Sequence, residues 1–496
     1  MDDITKKVIS SAMKDRFLLS RAIAEGLSKD LFESQEEKII VDYVLKNYSK
    51  SELFVDVGLL KEAITEEGTF TLKVGELIDE IANEEPLSLE LLLSYMDVLK
   101  RKYAEKEFLS IGKKIESYVE LKAHKENIMD FAGNLIGELR GIVQGRVKRR
   151  LDPMRFNLIV FTAELESRTG EENLILGYSM EPFTLLTESL SGARQGFYYS
   201  LAGAPRRGKT NLMLKVASAI ADNAHIPILY YSWEQTARVL FLRILSQQTF
   251  IPPYILETKN VLNDPTFSKR YDKGYVKVES FMNYVYLIEG RREDTMNRIR
   301  SHALSIMQEA RTDKVAIFVD YLQKIPTSIL YQDLAQQVDE VSGGLASLSL
   351  ELNCPIFAIS SFDKEGSKLD SEESLQRPTM FNSTGGGDIE YDADVAMVII
   401  KDFKDTNTLY EKIMNSTREG RVDPNRIPHF DILNLYIDKN RDAPFGGNII
   451  IQYLFLIEDN NLVEIGYKDI AQDRTYAKIS RVFDWMLENG YLVNMR

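Results

Sequence analysis

At 496 residues, with 44% hydrophobic and 27% charged positions, the chain has the composition of a multidomain globular protein. One cysteine, Cys354, excludes an intramolecular disulfide and a cysteine-built zinc site, and four scattered histidines argue against a structural metal module. The formal charge of −14 argues against a basic coat for nucleic acid but not against a local electropositive channel, because counterion release depends on the contacting residues alone.

The opening residues, MDDITKKVIS, lack a signal-peptide pattern, and no later run reaches the roughly 18 apolar residues of a spanning helix. No membrane partner is therefore expected, and a cytoplasmic, nucleoid-associated location is. Residues 1–145 read as helix: glycine is sparse, and Pro86 is the one proline. Apolar positions recur at three and four, as in Ile39, Ile40, Tyr43 and Val44, and in Leu89, Leu91, Leu92, Tyr95 and Val98. With no acid pair, nucleophile or metal cluster in view, this part is expected to be an assembly or docking domain. Residues 146–175 read as a linker: the stretch from Gly145 to Arg155 is basic and broken by Pro153, and FNLIVFTAELESRTGEE adds a short helix.

From 176 to 467 strands alternate with helices, which predicts a largely parallel sheet covered on both faces. A strand at Phe197–Ala202 runs into Gly203-Ala204-Pro205-Arg206-Arg207-Gly208-Lys209-Thr210, the pattern GxxxxGK[ST]. Glycines let such a loop curl its N–H groups round a polyphosphate. Lys209 adds a point charge on the β- and γ-phosphates, and the Thr210 hydroxyl can ligate Mg²⁺. A helix follows, with Leu212, Met213, Val216, Ala217 and Ile220 at helical spacing, and its N-terminus favours anions. Two more strands end in acids: Ile226 to Glu234, and Lys314 to Asp320, the Walker B pattern. Ligands gather at the carboxyl ends of strands in open α/β sheets, so Glu234 and Asp320 should converge on the loop.

Between these acids a strand at Tyr284–Ile288 leads to a helix from about Asp294 to Ala310. A helix over Gln332–Asn353 then feeds a strand at Pro355–Ser360, and Ser361–Asp388 reads as a long glycine-rich loop. Its run Gly385-Gly386-Gly387 offers backbone N–H groups to DNA phosphates, or serves as a hinge. After the strand VAMVII, a hairpin formed by Leu435–Arg441 and Asn448–Phe455 carries Lys439 and Arg441 at its tip. Residues 468–496 form a tail with a helix from the N-cap Asp473 through Tyr476, Ile479, Val482, Phe483 and Met486 to a stop at Gly490. It either packs on its own domain or docks a partner.

The phosphate loop, YYSWEQT, VDYLQ, EVSGGLASLSLELNCPIFAIS, GDIEYDAD and DKNRDAPFGG occur in the order and rough spacing of DnaB-type replicative helicases. LSKDLFESQEEKIIVDYVLKNY resembles that family's N-terminal domain. The resemblance implies an all-α N-terminal domain followed by a RecA-like ATPase, and a homohexameric ring that moves along single-stranded DNA on ATP and Mg²⁺. It implies that Glu234 activates the attacking water, that Asp320 holds Mg²⁺ through water, and that Arg441, with Lys439, reaches the nucleotide of the adjacent subunit. Lys324, Lys364, Gly385, Gly386 and Gly387 are the implied DNA contacts, and a primase, helicase loader or polymerase the implied partners. Three positions depart from the family: Ser361 stands for its usual glutamine, Asp363-Lys364 for its Asn/Ser-Arg, and Thr384–Gly387 for a charged segment. They leave open a RecA-fold ATPase with weak or no unwinding, acting as a scaffold or defence-associated ring.

Overall fold

The computed structural model describes residues 2–47, 57–66, 68, 70–120, 175–327, 334–374, 376–441, 449–469, 474–475 and 479–495, with isolated positions between 131 and 161. They fall into two units, Met1–Glu172 and Asn173–Arg496. The first is helical, as its three-and-four spacing predicts: α1 (Asp2–Lys14), α2 (Arg16–Ala24), α3 (Gln35–Asn47), α4 (Val57–Glu66), α5 (Leu72–Asn83) and α6 (Leu89–Glu120). Ile9, Leu19, Ile40, Ile78 and Met96 meet in its core. Thr71 caps α5 by accepting the Val74 N–H. The 32 residues of α6 extend about 48 Å, and beyond this core the helix leaves Phe108, Leu109 and Val119 exposed.

In the second unit α7 (Thr184–Leu190) precedes β1 (Tyr198–Gly203), α8 (Lys209–Ala224), β2 (Ile228–Ser232), α9 (Ala237–Thr249), α10 (Pro253–Thr258), α11 (Ser268–Phe281) and β3 (Val285–Glu289). There follow α12 (Met296–Glu309), β4 (Ala316–Asp320), α13 (Leu334–Leu352), β5 (Ile356–Ser361), α14 (Lys364–Leu369), α15 (Gly386–Asp392) and β6 (Val395–Lys401). The unit ends with α16 (Phe403–Arg418), β7 (Phe430–Asn440), β8 (Ile449–Leu456), β9 (Asn461–Asp469), β10 (Arg474–Thr475) and α17 (Ile479–Glu488). One sheet results, in the order β10-β9-β8-β7-β6-β1-β5-β4-β2-β3. Strands β1 to β6 pair in parallel, and β7 to β10 extend the β6 edge antiparallel.

Every residue of β1 is buried, because both faces of the sheet are covered. Tyr199 and Leu201 join a core with Leu212 and Val216 of α8, while Tyr198 and Ala202 join one with Ile299 of α12 and Leu345 of α13.

Two expectations are corrected. The stretch 361–388 is not an open loop: it folds into α14, a 3-10 turn at Met380–Asn382, and the start of α15. Asp363 caps α14 through the Gly366 N–H at 2.7 Å, and Thr379 and Asn382 form a capping box, so short polar caps replace apolar periodicity as the ordering force. The tail helix begins at Ile479 and not after Asp473, because Arg474 and Thr475 pair with Asp469 and Lys468 as an edge strand. Asp473, Tyr476, the turn DAPFGG and most of the linker lie outside the described residues. In α17, Val482, Phe483 and Met486 pack with Leu409 and Ile413 of α16.

The carboxylate of Glu464, on β9, takes the Leu185 N–H at 2.7 Å and the Leu186 N–H at 3.2 Å, closing the start of α7. Burial pushes this carboxyl from 4.5 up to about 7; the two N–H bonds oppose the shift, and Glu181 and Glu188 add to it. A folded value above the unfolded one means stability is lost as pH rises from 4.5 through about 7. Glu464→Gln removes that loss. Its gain in Tm over wild type is expected to be larger at pH 8 than at pH 5, by roughly 2–4 °C in scanning calorimetry.

Candidate nucleotide-binding site

The phosphate loop opens at the carboxyl end of β1, between β5 and β6, where an α/β sheet receives ligands. Gly203 lies so close to β6 that a Cβ there would meet the Ile399 carbonyl oxygen at 2.6 Å. Arg206 (φ 66°) and Gly208 (φ 71°) take left-handed backbone, which curls the chain round before Lys209 starts α8. Ala204 is buried, whereas Pro205 and Arg206 face solvent. Lys209 Nζ donates to the carbonyls of Gly203 (2.7 Å) and Ala204 (2.9 Å), folding the ammonium back onto its own loop. Arg207 Nε donates to Asp370 Oδ2 at 2.7 Å.

The two strand-end acids converge here. The Thr210 hydroxyl donates to Asp320 Oδ2 at 2.8 Å, and the Tyr230 hydroxyl reaches the same oxygen at 3.4 Å. Ser232 and Asp320 are in register across β2 and β4, so Glu234 emerges beside Asp320. Ser232 Oγ accepts the N–H groups of Glu234 (3.3 Å) and Gln235 (3.0 Å), turning the chain and leaving Glu234 exposed. Burial pushes the Asp320 carboxyl up to about 6, opposed by the Thr210 bond and Lys209 and reinforced by Glu234. Burial likewise lowers the Lys209 ammonium to about 8, with Asp320 and Glu234 holding it up. Loop and acids form one electrostatic unit.

Thr210 and Asp320 offer two hard oxygens, a donor set that suits Mg²⁺, which keeps water and substrate phosphates for its other positions. Among the described residues no cluster of three or more His, Cys, Asp or Glu competes for a metal. Sequence reading missed Arg243 of α9. Its Nη1 donates to Asn211 Oδ1 at 2.9 Å, next to Thr210, and its charge is felt by Asp320 and Glu234. The signal was a cation in the middle of the otherwise apolar run VLFLRIL.

Lys439 and Arg441 stand elsewhere. Because β7 runs against β6, Lys439 pairs with Ala396 and Asn440 with Val395, at the amino end of β6 and of β1. Six residues of strand, about 17 Å, separate that end from the loop. Arg441 Nη1 bonds Asp394 Oδ1 at 2.9 Å, and Asp394 Oδ2 accepts the Tyr198 N–H at 2.9 Å. Lys439 Nζ donates to the carbonyls of Glu390 (2.6 Å) and Tyr391 (2.8 Å) at the end of α15.

Of the DNA candidates, Lys364 is exposed in the first position of α14, and Lys324 is exposed at the end of the 3-10 turn Leu322–Lys324. Gly385 (φ 75°) caps α15, where a Cβ would meet Val338 at 2.3 Å, and Gly386 and Gly387 form its first turn. Gln323 Nε2 ties these pieces together, donating to Ser360 Oγ (2.7 Å) and Thr384 O (3.1 Å).

A family model described as DnaB-like helicase C terminal domain matches residues 180–462. The probable replicative DNA helicase of Trieres chinensis is 23% identical over 448 residues, 89% of this chain and 91% of its own length. The replicative DNA helicase DnaB of Haemophilus influenzae is 23% identical over 439 residues, 86% and 85% of the two chains. Among solved structures, a DnaB-like replicative helicase described with its interactions with primase superposes with a TM-score of 0.52 at 18% identity, covering 93% of this chain and 99% of its own. A second solved structure, described as an ATPase domain, gives a TM-score of 0.51 at 20% identity, covering 63% of this chain and 99% of its own. The expected fold class holds: a helical N-terminal region and a mostly parallel, RecA-like sheet. Since the matched residues span more than half of the chain, including the loop, both acids and the hairpin, the chain belongs to the DnaB-like helicase family.

Proposed function

We propose that this replicative DNA helicase hydrolyses ATP at a site completed by a second copy of the chain, in a homohexameric ring that travels on single-stranded DNA. The observation that carries this reading is the separation of charges along β1. The phosphate loop is at one end and Lys439 and Arg441 are at the other, so the two cations lie too far away to serve their own nucleotide. A head-to-tail contact between copies brings them to the neighbour's loop, and such contacts form a ring when the rotation from copy to copy closes.

In this site the loop amides, the N-terminus of α8 and Lys209 bind the phosphates. Glu234, exposed beside Asp320, orients the attacking water and takes its proton. Thr210 and Asp320 would hold Mg²⁺, which would supply charge neutralisation to the phosphates. Arg441 neutralises transition-state charge from the adjacent copy, with Lys439 beside it. The apolar residues that α6 leaves exposed support an assembly role for residues 1–145. In the same reading 146–175 connect, 176–467 form the motor and 468–496 the tail. The exposed Lys324 and Lys364 and the glycine run face DNA, and a primase is the first partner to test. No described helix is long and apolar enough to cross a membrane.

Arg441→Ala is expected to bind an ATP analogue normally and to hydrolyse ATP roughly 10³-fold more slowly or worse. Mixed with Glu234→Ala and allowed to exchange subunits, it should regain activity at about a quarter of the interfaces; no rescue would refute catalysis between copies. Asp320→Asn should weaken the Mg²⁺-dependent part of analogue binding about 10–100-fold, read by titration with and without the ion. On a 5′-tailed fork, wild type should separate strands with ATP and Lys209→Ala should not. DNA-stimulated hydrolysis without strand separation would leave a translocating ATPase in place of a helicase.

A further inference from the structure

The phosphate loop holds a cation already engaged elsewhere. Arg207, 18% exposed, is bonded to Asp370, 1% exposed, at 2.7 Å. The other oxygen of Asp370 accepts the Lys401 N–H at 3.3 Å, and the Arg207 guanidinium lies 5.8 Å from the centre of the Phe403 ring. Removing the cation would leave a buried carboxylate without its counter-charge, which is strongly destabilising.

Asp370 ends α14, and α14 is one piece with the rest of segment 361–392. Phe362 bridges Ser383, the Asp363 N–H donates to Asn382 O, and the Thr384 N–H donates to Ser361 O. Ser361, the last residue of β5, lies in register with Gly203, the first residue of the loop. Arg207 and Asp370 add an ionic link from the loop to the end of α14.

We propose that Arg207 and Asp370 are positioning residues that join the phosphate loop to segment 361–392, so that nucleotide and single-stranded DNA alter each other's affinity through this pair. The proposal rests on the reading that this segment faces DNA. Linkage makes the coupling reciprocal and directly measurable.

The test is the affinity of the full chain for a labelled oligothymidylate, by fluorescence anisotropy, with and without a non-hydrolysable ATP analogue. The ratio of the two Kd values in wild type is expected within the usual range of roughly 5–150-fold. Asp370→Asn should bring the ratio to about one, and Asp370→Glu should keep most of it. The double variant Arg207→Met/Asp370→Leu removes both charges and leaves none buried, so it keeps the test open if Asp370→Asn does not fold. An equal fall in the single and double variants identifies the pair as the unit. A wild-type ratio in either folded variant overturns the proposal and leaves the DNA-facing reading intact. A wild type whose DNA affinity ignores nucleotide overturns that reading, and the proposal with it.

Discussion

The structure depends on one strand that is chemically occupied at both ends. At its carboxyl end β1 becomes the phosphate loop. At its amino end the Tyr198 N–H is held by Asp394, the same carboxylate that holds Arg441. Between them every side chain is buried against one of two helical layers, so neither end moves freely of the other. The separation between nucleotide and cations is thus a property of the core, fixed by the length of a strand.

At the nucleotide end the charges are arranged before any substrate arrives. Lys209 has carbonyl oxygens as its direct hydrogen-bond partners, and burial lowers its proton affinity. Asp320 is enclosed with two hydroxyls and shows the opposite shift. A polyphosphate entering with a cation relieves both at once, since it brings an anion to the ammonium and a cation to the carboxylate. In the proposed site, part of the binding energy would come from groups that folding left under-compensated.

What could be read in advance was whatever is encoded locally. The glycine spacing of the loop, apolar strands ending in Glu234 and Asp320, and a hairpin ending in two cations each fit within a dozen or so residues, the length over which strand, turn and helix signals act. The segment 361–388 defeated the same approach because its order comes from caps and from distant partners. Asp370 meets Arg207 from 163 residues away, and nothing beside either residue announces the other. Strands β9 and β10 and helix α16 went unread for a related reason. Polar residues of β9 and of the start of α16 meet in one network, in which Lys468 bonds Asp402 at 2.6 Å and Asp405 at 2.7 Å while Gln452 Nε2 of β8 donates to Asn434 of β7, and β10 is only two residues of edge strand.

Lys439 rests on the last carbonyls of α15, and α15 begins in the glycine run. In a ring built as proposed, Lys439, offered to one subunit's nucleotide, would therefore rest on a helix whose other end is the glycine run proposed to meet the DNA of its own subunit. A shift of that helix would then bear on the neighbour's nucleotide through Lys439 and on the home nucleotide through Asp370 and Arg207. The signal passes from each subunit to one neighbour and not to the other, because the hairpin points one way. In such a ring the order of successive firings would follow the direction in which the hairpin points.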